Sequence, residues 1–166
     1  MIQITNIAPA DAPAVAEIIS QTCRAAYRDI VPPEELERFA ALPGQIQQAE
    51  ARLGDPNWYC RIARAGEGDA PCGIVSFSAC PEDPGCAIIR QCFALPRYWG
   101  GGVDPALLEH ALSELRGLGY PAVTLWVFEQ NTRVRRFYEK FGFVPDGAET
   151  EFMGAIALRY RLELKQ

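Results

Sequence analysis

Apolar positions in the first third of the chain predict one strand followed by an amphipathic helix. Residues 2–7 favour a short strand, and Asp11 is a candidate cap for the helix that follows. Pro32 and Pro33 end the helical pattern, and short helices are predicted from Glu34 and over residues 45–53. The residues that recur at the spacing of one helix face are Val15, Ile18, Ile19, Thr22 and Ala26.

The middle of the chain has the pattern of three strands separated by short turns. The strand patterns cover residues 58–65, 72–80 and 86–95, and glycine, proline and acidic residues fill the intervals. Consecutive strands with such short connections pair with their neighbours in opposite directions. We therefore expect an antiparallel meander.

A glycine-rich loop leads from the third of these strands into a helix. Gly100, Gly101 and Gly102 precede Asp104, a candidate N-cap, and Pro105 then stands at the first helical position. A strand over residues 122–128 follows, so the strands on either side of the helix should be parallel. The apolar stripe of the helix consists of Leu107, Leu108, Ala111, Leu112 and Leu115.

The last part of the chain predicts a second helix and a final strand. Residues 131–141 place Val134, Phe137, Tyr138 and Phe141 in helical register. Residues 155–164 alternate as in a half-buried strand near a sheet edge, with Ile156, Leu158, Tyr160, Leu162 and Leu164 on one face. Together these patterns predict a single α+β domain, residues 1–166, on a mixed sheet.

Composition and charge narrow the functional classes. The 166 residues are 49% apolar and 22% charged, and the formal net charge of −5 argues against sequence-blind nucleic-acid binding. One histidine, His110, and the lack of a Cys-x-x-Cys pair indicate that no metal site is built from such ligands. No apolar run is long enough for a membrane span, and no signal-peptide pattern is present. We therefore expect a cytoplasmic protein whose six cysteines are mostly small buried residues.

The glycine-rich loop is the first candidate for chemistry. Glycines let a backbone approach a ligand closely, and the free N–H groups at a helix N-terminus attract phosphate. The loop is therefore either a pyrophosphate cradle or a plain tight turn. It matches neither the Walker phosphate loop nor the Rossmann glycine pattern.

Three segments resemble the GCN5-related N-acetyltransferases, and together they cover nearly the whole chain. Residues 89–108 are similar to that family's fourth strand, acetyl-CoA loop and following helix. Residues 125–143 carry the most specific signal, with Asn131, then Phe137-Tyr138, then Gly142-Phe143 at the family's spacing. Residues 25–32 are similar to a substrate-side segment of many small bacterial members.

The resemblance implies a fold and a set of cofactor contacts. The fold is a mixed, mostly antiparallel sheet flanked by helices, with a central βαβ unit that binds acetyl-CoA as cosubstrate. Asn131 would contact the pantetheine arm, and Tyr138 would protonate the departing thiolate. Arg136 belongs to a basic face that is either solvated or neutralises the 3′-phosphate of CoA. Backbone contacts are implied for Phe93, Ala94 and Leu95 with the pantetheine arm and the thioester oxygen, and for Gly100, Gly101, Gly102 and Val103 with the pyrophosphate.

The resemblance also bears on the acceptor and its base. Tyr27, Ile30 and Trp58 would border the acceptor cleft, which fits a small amine, an amino acid or a peptide N-terminus equally well. Strand 86–95 carries no carboxylate where many relatives have a glutamate, so Glu129 is the nearest candidate base. Glu82, Asp29 and Tyr27 are alternatives that would act through water.

The loop departs from the family pattern at several positions. Trp99 replaces a polar residue, Gly101 stands where many relatives have a basic residue, and Asp104 replaces a small residue. A carboxylate at a helix start competes with phosphate for the N–H donors, and Pro105 removes one donor.

The resemblance and the departures from it lead to two functional hypotheses. The first is transfer of an acetyl group from acetyl-CoA to a primary amine by direct attack in a ternary complex. Many relatives form homodimers, so the resemblance is compatible with a homodimer, while the sequence leaves the oligomeric state open. The alternative is a catalytically degenerate domain that binds CoA, another acyl-CoA or a protein partner. A fold in which strands 86–95 and 122–128 do not splay apart would contradict the resemblance itself.

Overall fold

A seven-stranded sheet flanked by five α-helices forms the protein in the computed structural model, which describes residues 1–165. The strands are β1 (Ile2–Asn6), β2 (Tyr59–Ala65), β3 (Ala70–Cys80), β4 (Asp83–Ala94), β5 (Ala122–Phe128), β6 (Val144–Phe152) and β7 (Ala155–Glu163). The helices are α1 (Ala12–Ala26), α2 (Pro33–Ala40), α3 (Leu42–Leu53), α4 (Val103–Gly117) and α5 (Thr132–Lys140).

The strand order confirms the predicted α+β class. The sheet runs β1-β2-β3-β4-β5-β7-β6, and all neighbours are antiparallel except β4 and β5. The meander of β2, β3 and β4 and the parallel pair across α4 are both as predicted.

The parallel strands β4 and β5 are paired over a short stretch only. They pair at Ala87 with Val123 and at Ile88 with Thr124, and no later residue of β4 is paired with a residue of β5. The register between β3 and β4 also shifts here, which leaves Arg90 as an extra residue in β4. Such a β-bulge bends its strand. The sheet is therefore open between the C-terminal halves of β4 and β5.

Helices cover both faces of the sheet. Because side chains alternate along a strand, neighbouring β3 residues serve different faces: Val75 packs in the cluster of α4 and α5, and Ile74 in that of α1. The predicted apolar stripes are confirmed, since Leu107 and Leu108 of α4 and Ile18 of α1 are almost fully buried. None of the helices within residues 1–165 is long and apolar enough to cross a bilayer.

The close packing of α4 depends on a glycine in β3. A Cβ atom at Gly73 would lie 2.8 Å from Leu107 Cδ1, 2.8 Å from the Phe93 carbonyl oxygen and 2.9 Å from Val103 Cγ1. No side chain fits at these distances. Gly73 therefore sets the distance between α4 and the sheet, and with it the position of the glycine-rich loop.

The last two strands differ from the prediction. No strand was predicted over β6, because an edge strand that is exposed on both faces and contains Pro145 and Gly147 has no apolar period. The strand β7 lies between β5 and β6, one strand in from the sheet edge, which agrees with the prediction of a strand near the edge. Ile156 is 40% exposed although it was expected on the buried face, while Ala157 is buried.

Two predicted helix caps are also corrected. The helix α4 begins at Val103, two residues earlier than expected, because Gly102 takes the N-cap position with φ of 92°, which glycine tolerates. Asp104 and Pro105 therefore lie inside the first turn. Asp11 does precede α1, but its carboxylate accepts hydrogen bonds from the Ala8 amide at 2.8 Å and from Arg64 at 2.8 Å.

Candidate active site

A cavity of about 490 Å³ occupies the opening between β4 and β5. It reaches the helices on both faces of the sheet, and its two ends differ in character. We call the end next to the glycine-rich loop the loop end; its residues are Trp99, Asp104, Asn131, Arg133, Val134, Phe137 and Tyr138. We call the opposite end the aromatic end; its residues are Tyr27, Phe39, Gln48, Arg52, Trp58, Arg90, Phe128, Thr150, Glu151 and Phe152.

Free backbone amides stand at the start of α4. The first hydrogen bond of the helix runs from the Ala106 amide to the Gly102 carbonyl at 3.2 Å. The amides of Gly102, Val103 and Asp104 therefore have no acceptor within residues 1–165, and Pro105 has no N–H to offer. Three donors of the kind that bind anions remain.

A carboxylate lies beside these donors. Asp104 lines the cavity, and burial raises the pKa of its carboxyl group, while the positive charge of Arg133 acts in the opposite direction. The Arg133 guanidinium stacks over the Trp99 ring at 4.2 Å from its centroid. Trp99 is itself held by a 2.9 Å hydrogen bond from its indole N–H to the Ala94 carbonyl. Arg133 is therefore fixed where it can partly offset the charge of Asp104.

The edge of β4 that faces the opening carries further backbone donors. The Leu95 amide donates to the Cys72 carbonyl of β3 at 2.8 Å. Bonded and non-bonded pairs alternate along an antiparallel ladder, so the amides of Ala94 and Cys92 face away from β3, towards the opening. The Ala94 carbonyl already accepts from Thr22 Oγ1 at 3.1 Å and from Trp99.

Tyr138 presents its phenol to the same opening. The side chain is 7% exposed and packs between the rings of Phe137 and Phe143. Its hydroxyl makes no hydrogen bond to any atom of the described chain, residues 1–165. Burial, followed by the neighbouring Cys92, raises its pKa well above the usual value for tyrosine, so the phenol stays protonated. Burial also raises the pKa of the Cys92 thiol, which keeps that group neutral.

Four aromatic rings form one wall of the aromatic end. Tyr27 meets Phe128 edge to face at 4.8 Å between ring centroids, Phe128 stacks on Phe152 at 6.1 Å, and Phe152 meets Phe39 at 5.9 Å. Burial raises the pKa of Tyr27, so its phenol stays protonated and cannot accept a proton as a base.

The other wall of the aromatic end carries positive charge. Two arginines lie close to Trp58, with the Arg52 guanidinium 4.7 Å and the Arg90 guanidinium 5.2 Å from its ring centroid. Glu151 of β6 supplies the carboxylate at this end.

The structure brings most of the predicted site residues to one place. Phe93, Ala94, Asn131, Tyr138, Tyr27 and Trp58 all line the cavity. Asn131 stands at the N-cap position of α5 but its side chain makes no capping hydrogen bond, so it remains available to the cavity. The backbone of Gly100, Gly101, Gly102 and Val103 lies beside the loop end, ahead of Asp104.

Besides these four loop residues, which stand next to the cavity but do not line it, four other predicted site residues lie outside the lining. Leu95 is buried with its amide bonded to β3, and Ile30 packs against the apolar cluster of α1. Arg136 is exposed, and Arg133 lines the cavity in its place on the same helix. Glu129 is exposed at the end of β5, where its main chain bonds Ile156 and Arg135.

Several lining residues were not selected from the sequence. Arg90 had a signal, because it is a charged residue inside the apolar run of residues 86–95. Arg52 and Glu151 had none, since they lie in an ordinary polar helix and in an unpredicted strand. Their place at the cavity depends on the folding of segments far apart in the sequence.

Comparisons with known proteins agree with this geometry. A curated protein of Mycobacterium tuberculosis, named as an uncharacterized N-acetyltransferase, is 36% identical over 67 residues. The match covers 40% of this chain and 43% of that protein, which is less than half of either.

Two solved structures share the fold at low sequence identity. A GCN5-related N-acetyltransferase from Rhodopseudomonas palustris superposes with a TM-score of 0.79 at 19% identity, covering 98% of this chain and 95% of that one. The PaiA N-acetyltransferase of Thermoplasma acidophilum, solved with coenzyme A, gives a TM-score of 0.76 at 16% identity, covering 96% and 98%.

A family model extends over most of the chain. The model of the acetyltransferase (GNAT) family matches residues 16–143, which include most of α1, all of α2 to α5 and β2 to β5. The match confirms the resemblance predicted from the glycine-rich loop and from the Asn131 to Phe143 segment. The chain therefore belongs to the acetyltransferase (GNAT) family.

Proposed function

We propose that residues 1–166 act as a single domain that transfers an acetyl group from acetyl-CoA to a primary amine. The observation that carries the proposal is the opening between β4 and β5, in which a phenol without a hydrogen-bond partner faces free backbone amides. The amine would attack directly, in a ternary complex, because the cavity lining within residues 1–165 offers no thiolate that could form an acyl-enzyme: burial raises the pKa of the Cys92 thiol well above its usual value.

The residues present fit acetyl-CoA along the loop end. Acetyl-CoA supplies an activated thioester when it binds. The free amides at the start of α4 fit the pyrophosphate, and the Ala94 and Cys92 amides fit the pantetheine arm and the thioester oxygen. The relative from Thermoplasma acidophilum, which was solved with coenzyme A, has the same fold and supports this assignment. Asp104 fits less well, because its carboxylate is near the amides that would hold a pyrophosphate.

Tyr138 is the proposed general acid. A thiolate leaving group needs a proton, and a phenol that stays protonated can supply it within hydrogen-bond reach. The free hydroxyl suits that role, and the raised pKa keeps the proton on the Tyr138 phenol until the thiolate leaves.

The proton of the attacking ammonium requires an acceptor. Within the described chain, two carboxylates line the cavity, Asp104 at the loop end and Glu151 at the aromatic end. We infer that Glu151 accepts this proton, directly or through water, in place of Glu129, because Glu129 is not part of the lining.

A second function is favoured by one observation. Asp104 and Pro105 together place a negative charge and remove a donor at the site of the pyrophosphate. A domain that has lost catalysis and binds another acyl-CoA or a protein partner would have these substitutions.

A calorimetric titration with acetyl-CoA, and with CoA for comparison, tests the proposal. We expect one site per chain with micromolar affinity, followed by release of CoA when a suitable amine is added. Absence of binding up to millimolar acetyl-CoA would contradict the acetyltransferase assignment and favour the second function.

A further inference from the structure

The aromatic end contains two arginines that share one aromatic partner. Arg52 comes from α3 and Arg90 from the bulge in β4, and both guanidiniums stand close to the Trp58 ring. The extra residue at a β-bulge is left out of the regular alternation, which re-aims its side chain. Arg52 and Arg90 are 38 positions apart in the sequence, so only the fold brings them together.

Neither arginine has a carboxylate partner within residues 1–165. Arg90 Nε donates to Ser78 Oγ at 3.3 Å, and Arg52 makes no hydrogen bond or ion pair with the described chain. The exposed Glu82 has its pKa lowered by a hydrogen bond with Cys80 and further by Arg90, yet it forms no ion pair with Arg90. By contrast, six other arginines do pair with carboxylates: Arg24, Arg38, Arg61, Arg64, Arg159 and Arg161.

The two positive charges disfavour each other. Burial and then the charge of Arg90 lower the pKa of Arg52. A half-buried guanidinium without a partner loses solvation that a bound anion can replace, and arginine suits carboxylate and phosphonate groups because its N–H donors match their oxygens. Arg52 is half-buried and Arg90 is exposed, and no carboxylate of residues 1–165 pairs with either of these positive charges beside Trp58.

We propose that the amine acceptor carries an oxyanion group, as free amino acids do, and that Arg52 and Arg90 bind this group beside Trp58. This inference rests on the proposed function, because it names the substrate class of the same site. The carboxylate of Glu151 lies at the same end and can face the ammonium group of such an acceptor. The aromatic wall of Tyr27 and Phe128 then borders its side chain.

This assignment separates three acceptor classes. A simple amine has no anionic group, and the first residue of a peptide has an amide where a free amino acid has a carboxylate. Both would leave the two guanidiniums without a partner, which weakens binding relative to a free amino acid.

The test compares matched acceptors in steady-state release of CoA. A panel of free amino acids is assayed beside the corresponding amino acid amides and aminophosphonates. We expect at least one acid to exceed its own amide by about tenfold or more in kcat/KM, the size of one charge-assisted hydrogen bond. Comparison of the acid with its phosphonate distinguishes the two kinds of oxyanion. Equal use of every acid and its amide would overturn the inference.

Variants assign the effect to the two arginines. Arg52→Gln and Arg90→Gln should raise KM for the acid, leave KM for the amide unchanged and leave acetyl-CoA affinity unchanged. Arg52→Lys, which keeps the charge, should recover part of the loss. Arg38→Gln is the matched control, because Arg38 is an exposed α2 residue that pairs with Glu35 and does not line the cavity. A loss that is equal for acid and amide would contradict the assignment.

Binding of the preferred acid in the presence of CoA, measured by calorimetry, separates this inference from the proposed function. Arginine-dependent binding without turnover would support the oxyanion site and contradict acetyl transfer. Turnover of amines with no preference for an anionic group would support acetyl transfer and contradict the oxyanion site. If no acid or phosphonate binds or reacts, the inference is wrong.

Discussion

The loop end and the aromatic end of the cavity are built in different ways. The loop end comes from two continuous segments, one through Gly102 into α4 and one from Asn131 through α5. The aromatic end gathers residues from α2, α3, β4, β5 and β6, together with Tyr27 just after α1 and Trp58 just ahead of β2. The first end can therefore be recognised in the sequence as a motif, whereas the second has no motif. Enzymes that share one cofactor but differ in their acceptor would show this difference between the two ends.

The largest expected effect concerns the phenol at the loop end. Tyr138→Phe should lower kcat by about a hundredfold, the lower range for a lost general acid, and leave acetyl-CoA affinity nearly unchanged. The measurement is steady-state kinetics together with calorimetry. Tyr59→Phe is the control, because Tyr59 stacks on Phe77 at 5.4 Å and does not line the cavity. An equal loss of turnover and affinity would show that Tyr138 is a packing residue.

Gly73→Ala should affect the loop end more than the aromatic end, because it disturbs the packing of α4 against the sheet. The added methyl group meets Leu107, Val103 and the Phe93 carbonyl, so we expect a loss of about 1–3 kcal/mol in the free energy of unfolding. Movement of α4 should also weaken acetyl-CoA binding more than it changes KM for the amine. Denaturant unfolding and calorimetry measure the two effects. Gly44→Ala in α3 is the matched control, with no atom within 4 Å of the new methyl group.

Two glutamates provide a test at the aromatic end. Glu151→Gln should lower kcat by about tenfold or more and shift the pH dependence of turnover, because Glu151 lines the cavity. Glu129→Gln should have little effect, since Glu129 is exposed outside the lining. The opposite result in pH–rate profiles would restore Glu129 as the base.

Asp104 is expected to weaken the loop end by its charge. Asp104→Asn keeps the size of the side chain and removes the charge, so it should strengthen acetyl-CoA binding by about three- to tenfold. Asp104→Ala, with a small residue, should strengthen binding at least as much. Calorimetry with acetyl-CoA gives both values, and unchanged affinity in both variants would show that Arg133 already neutralises the carboxylate.

The charge of Asp104 should also make acetyl-CoA binding depend on pH, with a smaller change in affinity than the substitutions cause. Because burial raises the pKa of Asp104, its carboxyl group becomes neutral at a higher pH than that of an exposed aspartate. The acetyl-CoA affinity of the wild type should therefore rise towards that of the Asp104→Asn variant as the pH is lowered from about 8 to about 5. A constant ratio between wild type and variant over this range would contradict the prediction.

Much of the fold could be predicted from local pattern. The stripe of α4, the meander and the parallel pair of β4 and β5 follow from apolar periodicity and connection length. The strand β6 could not be predicted in this way, because its residues are exposed on both faces and it is held by pairing with β7. The misplaced cap of α4 has a conformational cause, since both Gly102 and Asp104 are good N-caps and the structure uses Gly102.

The candidate site divides along the same line. Asn131 and Tyr138 were found from their spacing, because one helix and its N-cap position fix their relation to each other. Arg52 and Glu151 were not found, because each is an ordinary surface residue until α3 and β6 meet the opening.

The sequence by itself determined the elements other than β6, the parallel pairing across α4 and the family, since these depend on residues near one another in the chain. Only the tertiary structure decided the separation of β4 from β5 beyond Ile88, the turn of Arg90 out of the strand and the meeting of Arg52 with Trp58. These features depend on long-range packing, in which the twist and bulge of a sheet place side chains from distant segments around one cavity.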